Sequence, residues 1–327
     1  MHTAVGAQQA ARLAIIAVIF RAILAAIAGG VTLATEDLMA RSFMGVACGL
    51  VLVAGALTLG RRVTAQASLP LENLGIEHLD IIVPDPAASA RFYARVFRTT
   101  LHQQPVRDTL RYFVLLGDLP PDRQVGYIAI GAAQGRAPAI GHYCVLAKAY
   151  ARDAFSGALR SAGLASQPTA PGPIGMWPDP DGLELQLFQP PAGLVTAAVH
   201  SPLAVDGEGL ATPLGVDHVL LHVTNLERSL AYYRALYGAS AERPRDANGR
   251  VWFQLDRGTR LGLEQTADAA RIAHYAVRVA PFDRERLTKR LGELGVRLLP
   301  APDERDVVRF ADDNGIVVEL LASPPRQ

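Results

Sequence analysis

Short apolar runs alternate with amphipathic stretches along most of this chain. The run VLLHV, which begins at Val219, is followed by a helical pattern of apolar and aromatic residues that ends near Tyr237. A second such pair runs from Leu79 to Phe97. Apolar residues at alternate positions predict strands, and apolar residues three or four apart predict helices. The pattern therefore predicts an α+β protein.

The two strand–helix patterns match each other when one is shifted along the chain onto the other. The segment IEHLDIIVPDPAASARFYARVF aligns with VDHVLLHVTNLERSLAYYRALY, so that His78 matches His218 and Tyr93 matches Tyr233. Self-similarity of this kind predicts a repeated structural unit rather than one irregular domain.

A second pair of segments repeats with a similar shift. IGHYCVLAKAYARDAFSGALRSAGL aligns with IAHYAVRVAPFDRERLTKRLGELGV, so that His142 matches His274. Short strands complete the units, and they are predicted over Arg111–Leu116, Val125–Ile130, Val251–Leu255 and Leu261–Glu264. The repeats predict four βαβββ modules in two pairs, with domains at 76–191 and 214–323 and a linker at 192–213.

The N-terminal stretch 1–75 differs from the rest in being strongly apolar, and it predicts a helical membrane or signal segment. Phe43 to Gly60 carries no charge, and this run is close to the minimum length for a membrane-spanning helix. Ala65-Gln66-Ala67 resembles a signal-peptide cleavage site, whereas Arg61 and Arg62 fit a cytoplasmic flank better. We expect the protein to be membrane-associated or exported to the periplasm or outside the cell, and a location on the cytoplasmic side of the membrane stays open.

Charge and cysteine content exclude some classes of function. Lys and Arg number 32 against 31 Asp and Glu, and no long basic run occurs, which argues against nucleic acid as a partner. The two cysteines, Cys48 and Cys144, predict no disulfide framework. A small-molecule substrate is the expected partner, and no oligomeric state is predicted.

Three strand residues in the second half have the chemistry of metal ligands. His218, His274 and Glu319 each lie in an apolar run, GVDHVLLHV, RIAHYAV and NGIVVELL. Two imidazoles and one carboxylate form an open site that leaves coordination positions for a substrate or for oxygen. Strand alternation places His218 and His222 on the same face of their strand.

The segments DHVLLHVTNLERSLAYYRALYG and FADDNGIVVEL closely resemble the vicinal oxygen chelate superfamily. This superfamily includes glyoxalase I, bleomycin resistance proteins and type I extradiol dioxygenases, and the resemblance covers about residues 76 to 323. It implies that each pair of modules curls into a half-barrel, that a divalent metal (Fe, Ni, Zn or Mn) is the cofactor, and that His218, His274 and Glu319 are its ligands. One fold hosts several chemistries, so the resemblance does not define the reaction.

The resemblance leaves three functions open. Glyoxalase-like lyase or isomerase chemistry through a metal-bound enediolate is favoured, with Glu264 as a fourth ligand or as the base that moves the proton. Extradiol cleavage of a catechol is the alternative, but Arg309 stands where those enzymes carry a tyrosine. Arg309 is then a candidate for binding an anionic substrate group, and His222 for catalysis or for orienting a ligand. A non-catalytic binding or resistance module is the third hypothesis.

The first domain departs from the ligand pattern. Its candidate second site comprises His78, His142 and either Gln186 or Glu184, and Gln186 stands where Glu319 stands in the second domain. We therefore predict that the first domain carries a degenerate site and that the second domain carries the metal.

Overall fold

The structure is a computed structural model of the chain. The structure describes residues 68–99, 101–106, 109–117, 126–164, 166–170, 175–189, 201–203, 209–301 and 306–323. The predicted membrane or signal segment up to residue 67 lies outside the described residues. No helix within the described part of the chain is long and apolar enough to cross a membrane.

The first half of the described chain forms an eight-stranded mixed sheet. Its strands, in chain order, are β1 (Asn73–Val83), β2 (Leu101–Val106), β3 (Thr109–Leu115), β4 (Tyr127–Ala132), β5 (Ala139–Ala147), β6 (Gly175–Pro178), β7 (Glu184–Phe188) and β8 (Ser201–Leu203). They lie in the order β6-β7-β5-β1-β4-β3-β2-β8. Strand β8 falls within the stretch predicted to be a linker and pairs with β2 at the sheet edge.

The second half forms another eight-stranded sheet. Its strands are β9 (Thr212–Val223), β10 (Glu242–Arg243), β11 (Val251–Gln254), β12 (Arg260–Gln265), β13 (Arg271–Ala280), β14 (Arg297–Leu299), β15 (Val307–Ala311) and β16 (Val317–Ala322). They lie in the order β10-β11-β12-β9-β13-β16-β15-β14. Two short 3-10 turns, Ala239–Ala241 and Asp256–Gly258, complete this half.

Four α-helices within the described residues connect these strands. They are α1 (Pro86–Val96), α2 (Arg152–Ser161), α3 (Leu226–Tyr237) and α4 (Arg284–Glu293). Asp85, Asn225 and Asp283 cap α1, α3 and α4, because each side chain accepts a hydrogen bond from a backbone N–H in the first turn. The buried faces of the helices join one core with the sheets.

The predicted internal repeat is visible as identical strand register. In the first sheet, His78 lies opposite Tyr127 on the parallel neighbour and opposite Cys144 on the antiparallel neighbour. His218 lies opposite Arg260 and Ala276 in the same way. The module order is strand, helix and three strands in three cases; after α2 the described residues contain two strands before the linker stretch. The α+β fold of paired modules is confirmed.

Two reciprocal hydrogen bonds join the halves. The hydroxyl of Tyr93, on α1, donates to Asp312 Oδ2 at 2.9 Å. The hydroxyl of Tyr233, on α3, donates to Asp179 Oδ2 at 3.0 Å. Both aspartates are buried, and the other oxygen of each accepts two backbone N–H groups in the turn before β7 or β16. Each helix therefore holds the turn that leads into the last large strand of the other half.

Candidate metal centre

His218, His274 and Glu319 lie together on one face of the second sheet. Each offers a ligand atom, and these atoms all lie within 4.8 Å of one another. The two Nε2 atoms are 3.2 Å apart, Glu319 Oε1 is 3.3 Å from His274 Nε2, and Glu319 Oε2 is 3.4 Å from His218 Nε2. All three side chains are buried.

The strand register explains why these three residues meet. Ala276, on β13, lies opposite His218 on one neighbouring strand and opposite Glu319 on the other. Side chains opposite one another in a sheet point to the same face. Because Ala276 is small and fully buried, the space above it is left to the imidazole and the carboxylate. His274, two residues earlier on β13, completes the group from the same face.

Asp217 fixes the orientation of the His218 ring. Its Oδ1 lies 2.8 Å from His218 Nδ1, and Arg260 and Arg278 both form ion pairs with the same carboxylate. Burial alone would raise the pKa of Asp217, but His218 and Arg260 hold this pKa well below its usual range. An anionic Asp217 keeps the proton on Nδ1 and directs Nε2 toward the other two residues, as carboxylates commonly do for metal-binding histidines.

The charges within the triad are strongly coupled. Burial alone would lower the pKa of His218, but hydrogen bonds to Asp217 and Glu319 raise it. Burial lowers the pKa of His274 to about 3, so this ring is neutral at physiological pH. Burial would raise the pKa of Glu319, yet His218 and His274 lower it to about 2. The group therefore offers a carboxylate and a neutral imidazole, and a second imidazole that must lose a proton to bind a cation.

Arg309 contacts the carboxylate of Glu319. Its Nε donates to Glu319 Oε1 at 2.7 Å, and its Nη2 lies 2.5 Å from the same oxygen. Both contacts fall on Oε1, so Arg309 leaves Oε2, beside His218, for another partner. The predicted anion-binding arginine is thus engaged with a residue of the triad.

A cavity of about 680 Å³ lies beside the triad, and His274 and Arg309 line it. His222, farther along β9, and Glu264, on the neighbouring strand β12, also line it. His222 is four residues from His218 on β9, which separates their backbones by roughly 13 Å. The cavity is therefore long enough to hold a substrate that extends from the triad toward His222.

Solved structures show which fold this is. No protein-family model matches the sequence. The Mn(II)-bound glyoxalase from Novosphingobium aromaticivorans matches at 19% identity and a TM-score of 0.55, with 77% of this chain and 83% of that chain covered. The homoprotocatechuate 2,3-dioxygenase from Arthrobacter globiformis matches at 16% identity and a TM-score of 0.56, with 80% and 84% covered. A catechol 2,3-dioxygenase matches at 15% identity and a TM-score of 0.55, with 79% and 91% covered.

The chain has the vicinal oxygen chelate fold. The triad lies on the second sheet of this fold, and its dimensions suit a divalent ion. Neighbouring ligand atoms on an ion with bonds of about 2.1 Å are roughly 3.0–3.4 Å apart, the separation found between the three side chains. Two nitrogens and one carboxylate oxygen are also a common donor set for divalent transition metals. His218, His274 and Glu319 could therefore hold a metal together.

Glu264, predicted as a fourth ligand or base, does not join the triad. It lies opposite His222 rather than His218, because the parallel pairing of β12 and β9 places Arg260 beside His218. Its carboxylate accepts a hydrogen bond from Arg250 Nε at 2.7 Å and is 3.9 Å from His222 Nε2. Burial lowers the pKa of His222, whose buried Nδ1 has no hydrogen-bond partner among the described residues. Glu264 and His222 thus form a separate polar group in the same cavity.

The first sheet of the vicinal oxygen chelate fold repeats the two imidazoles without the acid. His78 Nε2 and His142 Nε2 are 3.4 Å apart, and burial lowers their pKa values to about 3 and about 4. Gln186 lies opposite Cys144, as Glu319 lies opposite Ala276, so the amide occupies the ligand position. Glu184, the other predicted acid, accepts a hydrogen bond from Thr169 and lines the cavity beside the triad instead.

Sequence reasoning missed the acids that precede the first histidine of each domain. Asp217 and Glu77 each contact Nδ1 of the following histidine, at 2.8 Å and 2.9 Å. Their signal was present, because the dipeptides Glu-His and Asp-His occupy equivalent places in the repeat. Glu77, His78 and Cys144 also form a group that brings three potential ligand atoms within 4.8 Å of one another.

Proposed function

We propose that this protein is a divalent-metal enzyme that binds a small substrate through two adjacent oxygen atoms. His218, His274 and Glu319 hold the metal in this proposal. The separation of 3.2 to 3.4 Å between their ligand atoms is the observation that carries it. The second domain is the active one, because Gln186 replaces the acid in the first.

The neighbours of the triad prepare it for this role. Asp217 orients His218 through Nδ1, and Arg309 anchors Oε1 of Glu319. A bound ion would act as a Lewis acid toward the substrate oxygens. Three protein ligands leave room for both substrate oxygens and one further small ligand. The cavity of about 680 Å³ beside the triad is large enough for a small organic substrate.

Ring-opening oxygenation of a catechol is the reaction that we place first. A centre of two histidines and one carboxylate with open positions is typical of Fe(II) oxygenases. The position of Glu264 supports this choice, because its carboxylate is paired with Arg250 and lies apart from the triad. Four protein ligands would leave one position fewer for a chelating substrate together with oxygen.

Lyase or isomerase chemistry on an α-oxo or α-hydroxy compound is the second candidate. The pair of Glu264 and His222 favours it, because both line the cavity and lie 3.9 Å apart, where they can accept and return a proton. This pair is about 13 Å along the strand from His218, so it would act only on a substrate that extends along the cavity.

Metal analysis of the purified full-length protein is the first test. We expect about one equivalent of divalent metal, which His274→Ala removes and the matched first-domain variant His142→Ala retains. If His142→Ala alone lost the metal, the metal centre would lie in the first domain and its assignment to the second domain would be wrong. Protein that binds small molecules but holds no metal would be a binding module rather than an enzyme.

Oxygen consumption then separates the two reactions. With Fe(II) and a catechol, ring cleavage predicts oxygen uptake that persists in Glu264→Gln. Lyase or isomerase chemistry predicts turnover without oxygen uptake, and this turnover should be lost in Glu264→Gln. Turnover with neither class of substrate by metal-loaded protein would contradict both assignments.

A further inference from the structure

A second cavity of about 650 Å³ lies against the first sheet and is close in size to the one beside the triad. His78, His142 and Gln186 line it from the positions that the triad occupies in the second sheet. A cavity of this size is large enough to hold a small organic ligand.

The charged residues of this cavity differ in position from those of the cavity beside the triad. In the repeat, the strand pair Ile82–Gly131 corresponds to His222–Glu264, so Gly131 stands where Glu264 does. By the same register, Arg111 stands at the strand position of Arg250. Arg111 Nη1 therefore contacts a different acid, Asp80, which is almost fully buried.

Two glycines make room for this ion pair. A Cβ atom on Gly131 would lie 3.1 Å from the guanidinium carbon of Arg111, and one on Gly141 would lie 3.1 Å from Asp80 Oδ2. Both distances are shorter than ordinary van der Waals contact. The two glycines thus leave space for the ion pair between Asp80 and Arg111, both of which line the cavity.

The cavity has no net charge in its interior. Asp80 balances Arg111, and burial keeps both His78 and His142 neutral by lowering their pKa values. Arg136, the remaining charged residue that lines the cavity, is exposed. The buried part of the cavity therefore offers no free counter-charge, and an uncharged ligand fits there better than a charged one.

Two buried polar atoms in the wall of the cavity have no hydrogen-bond partner among the described residues. They are the hydroxyl oxygen of Tyr127 and Oε1 of Gln104. Tyr127 itself is fully buried. Its ring stacks on His78 at 4.3 Å between centroids and meets Phe113 edge-on at 5.6 Å. The wall thus offers aromatic rings beside an unused phenol donor and an unused amide acceptor.

We propose that this first-domain cavity binds a small uncharged aromatic molecule that carries a hydroxyl or carbonyl group. The ring lies against Tyr127 and Phe113, and the polar group pairs with the hydroxyl of Tyr127 or with Gln104. The cavity is thereby a ligand site distinct from the metal centre of the second domain.

Phenol is the probe for this site, titrated into full-length protein by calorimetry. Ala129, on β4, lines the first cavity, so Ala129→Leu should fill it and weaken phenol binding more than tenfold. Ala273 lines the second cavity, so the matched variant Ala273→Leu should leave the first-domain binding unchanged. Tyr127→Phe, which removes only a hydroxyl, should weaken binding about fivefold if this group is the donor.

Benzoate is the charged comparison. It should bind at least about tenfold more weakly than phenol, because its carboxylate would leave water for the buried part of the cavity, which offers no free counter-charge. The proposal is overturned if benzoate binds more tightly, if phenol does not bind, or if Ala273→Leu abolishes binding while Ala129→Leu retains it. Thermal unfolding of each variant shows whether it folds. If Ala129→Leu does not fold, Tyr127→Phe decides, and unchanged phenol affinity in that variant removes the assigned contact.

Discussion

Removal of the Tyr93 hydroxyl should destabilise the protein, although Tyr93 lies far along the chain from the candidate metal centre. Tyr93 lies on α1 in the first half, and its hydroxyl donates to Asp312 of the second half at 2.9 Å. Asp312 in turn accepts the backbone N–H groups of Asn314 and Ile316, at 2.9 and 2.8 Å, in the turn before the strand of Glu319. Tyr93→Phe deletes the first of these bonds and keeps the ring.

The expected cost follows from the burial of both partners. Tyr93 is fully buried and Asp312 is 6% exposed, so water cannot readily replace the lost hydroxyl. A hydrogen bond to a charged group contributes about 1.5–3 kcal/mol to the free energy of unfolding. In a domain of this size, each 1 kcal/mol corresponds to roughly 2–4 °C in Tm. Tyr93→Phe should therefore lower Tm by roughly 3–12 °C.

Urea denaturation of the wild type and three variants measures this cost. Tyr233→Phe removes the reciprocal bond to Asp179 and should give a loss of similar size. Tyr112→Phe is the control, because Tyr112 is only half-buried on β3. If Tyr93→Phe and Tyr112→Phe both unfold within about 0.5 kcal/mol of the wild type, the Tyr93–Asp312 bond does not contribute as argued.

Three further outcomes are expected. The pKa values of His78 and His142 are lowered to about 3 and about 4, so below about pH 6.5 the unfolded state binds more protons than the folded state. The free energy of unfolding should therefore fall with acidification by up to about 1.4 kcal/mol per pH unit for each ring. An unchanged slope in a His78→Asn/His142→Asn protein would refute this. Glu319→Gln should weaken metal binding by about 100-fold in calorimetric titration, whereas Gln186→Ala should not; equal affinities would exclude Glu319 as a ligand. Gly238 has a φ of 87°, and a Cβ there would lie 3.1 Å from Pro70, so Gly238→Ala should cost about 1–3 kcal/mol, and an unchanged urea midpoint would contradict that strain.

The internal repeat made the fold predictable from sequence. Strands predicted over Val251–Leu255 and Leu261–Glu264 correspond to β11 and β12 within one residue at each end. The family resemblance implied His218, His274 and Glu319 as ligands of one metal, and the structure brings their ligand atoms within 4.8 Å of one another. The strand predictions succeed because the period of a strand and the match between repeats are properties of neighbouring residues.

The position of Glu264 could not be predicted in the same way. Its distance from the triad depends on the register between β12 and β9, which are joined through a helix and two other strands. The partners of Arg309 and Arg111 were also missed, because a long side chain can reach several nearby acids in the folded protein. Sequence spacing says little about such contacts, whereas it says much about backbone periodicity.

The relocated ion pair of the first sheet restricts how this cavity can change. In the second sheet an acid on β12 neutralises Arg250, whereas in the first sheet an acid on β1 neutralises Arg111 and a glycine replaces the β12 acid. Loss of Arg111 alone would leave the buried carboxylate of Asp80 without its cation. A Cβ at Gly131 would lie 3.1 Å from the guanidinium carbon of Arg111, so the arginine would have to shift. Positions 80, 111 and 131 are therefore coupled, and the effect of a substitution at one of them should depend on the residues at the other two.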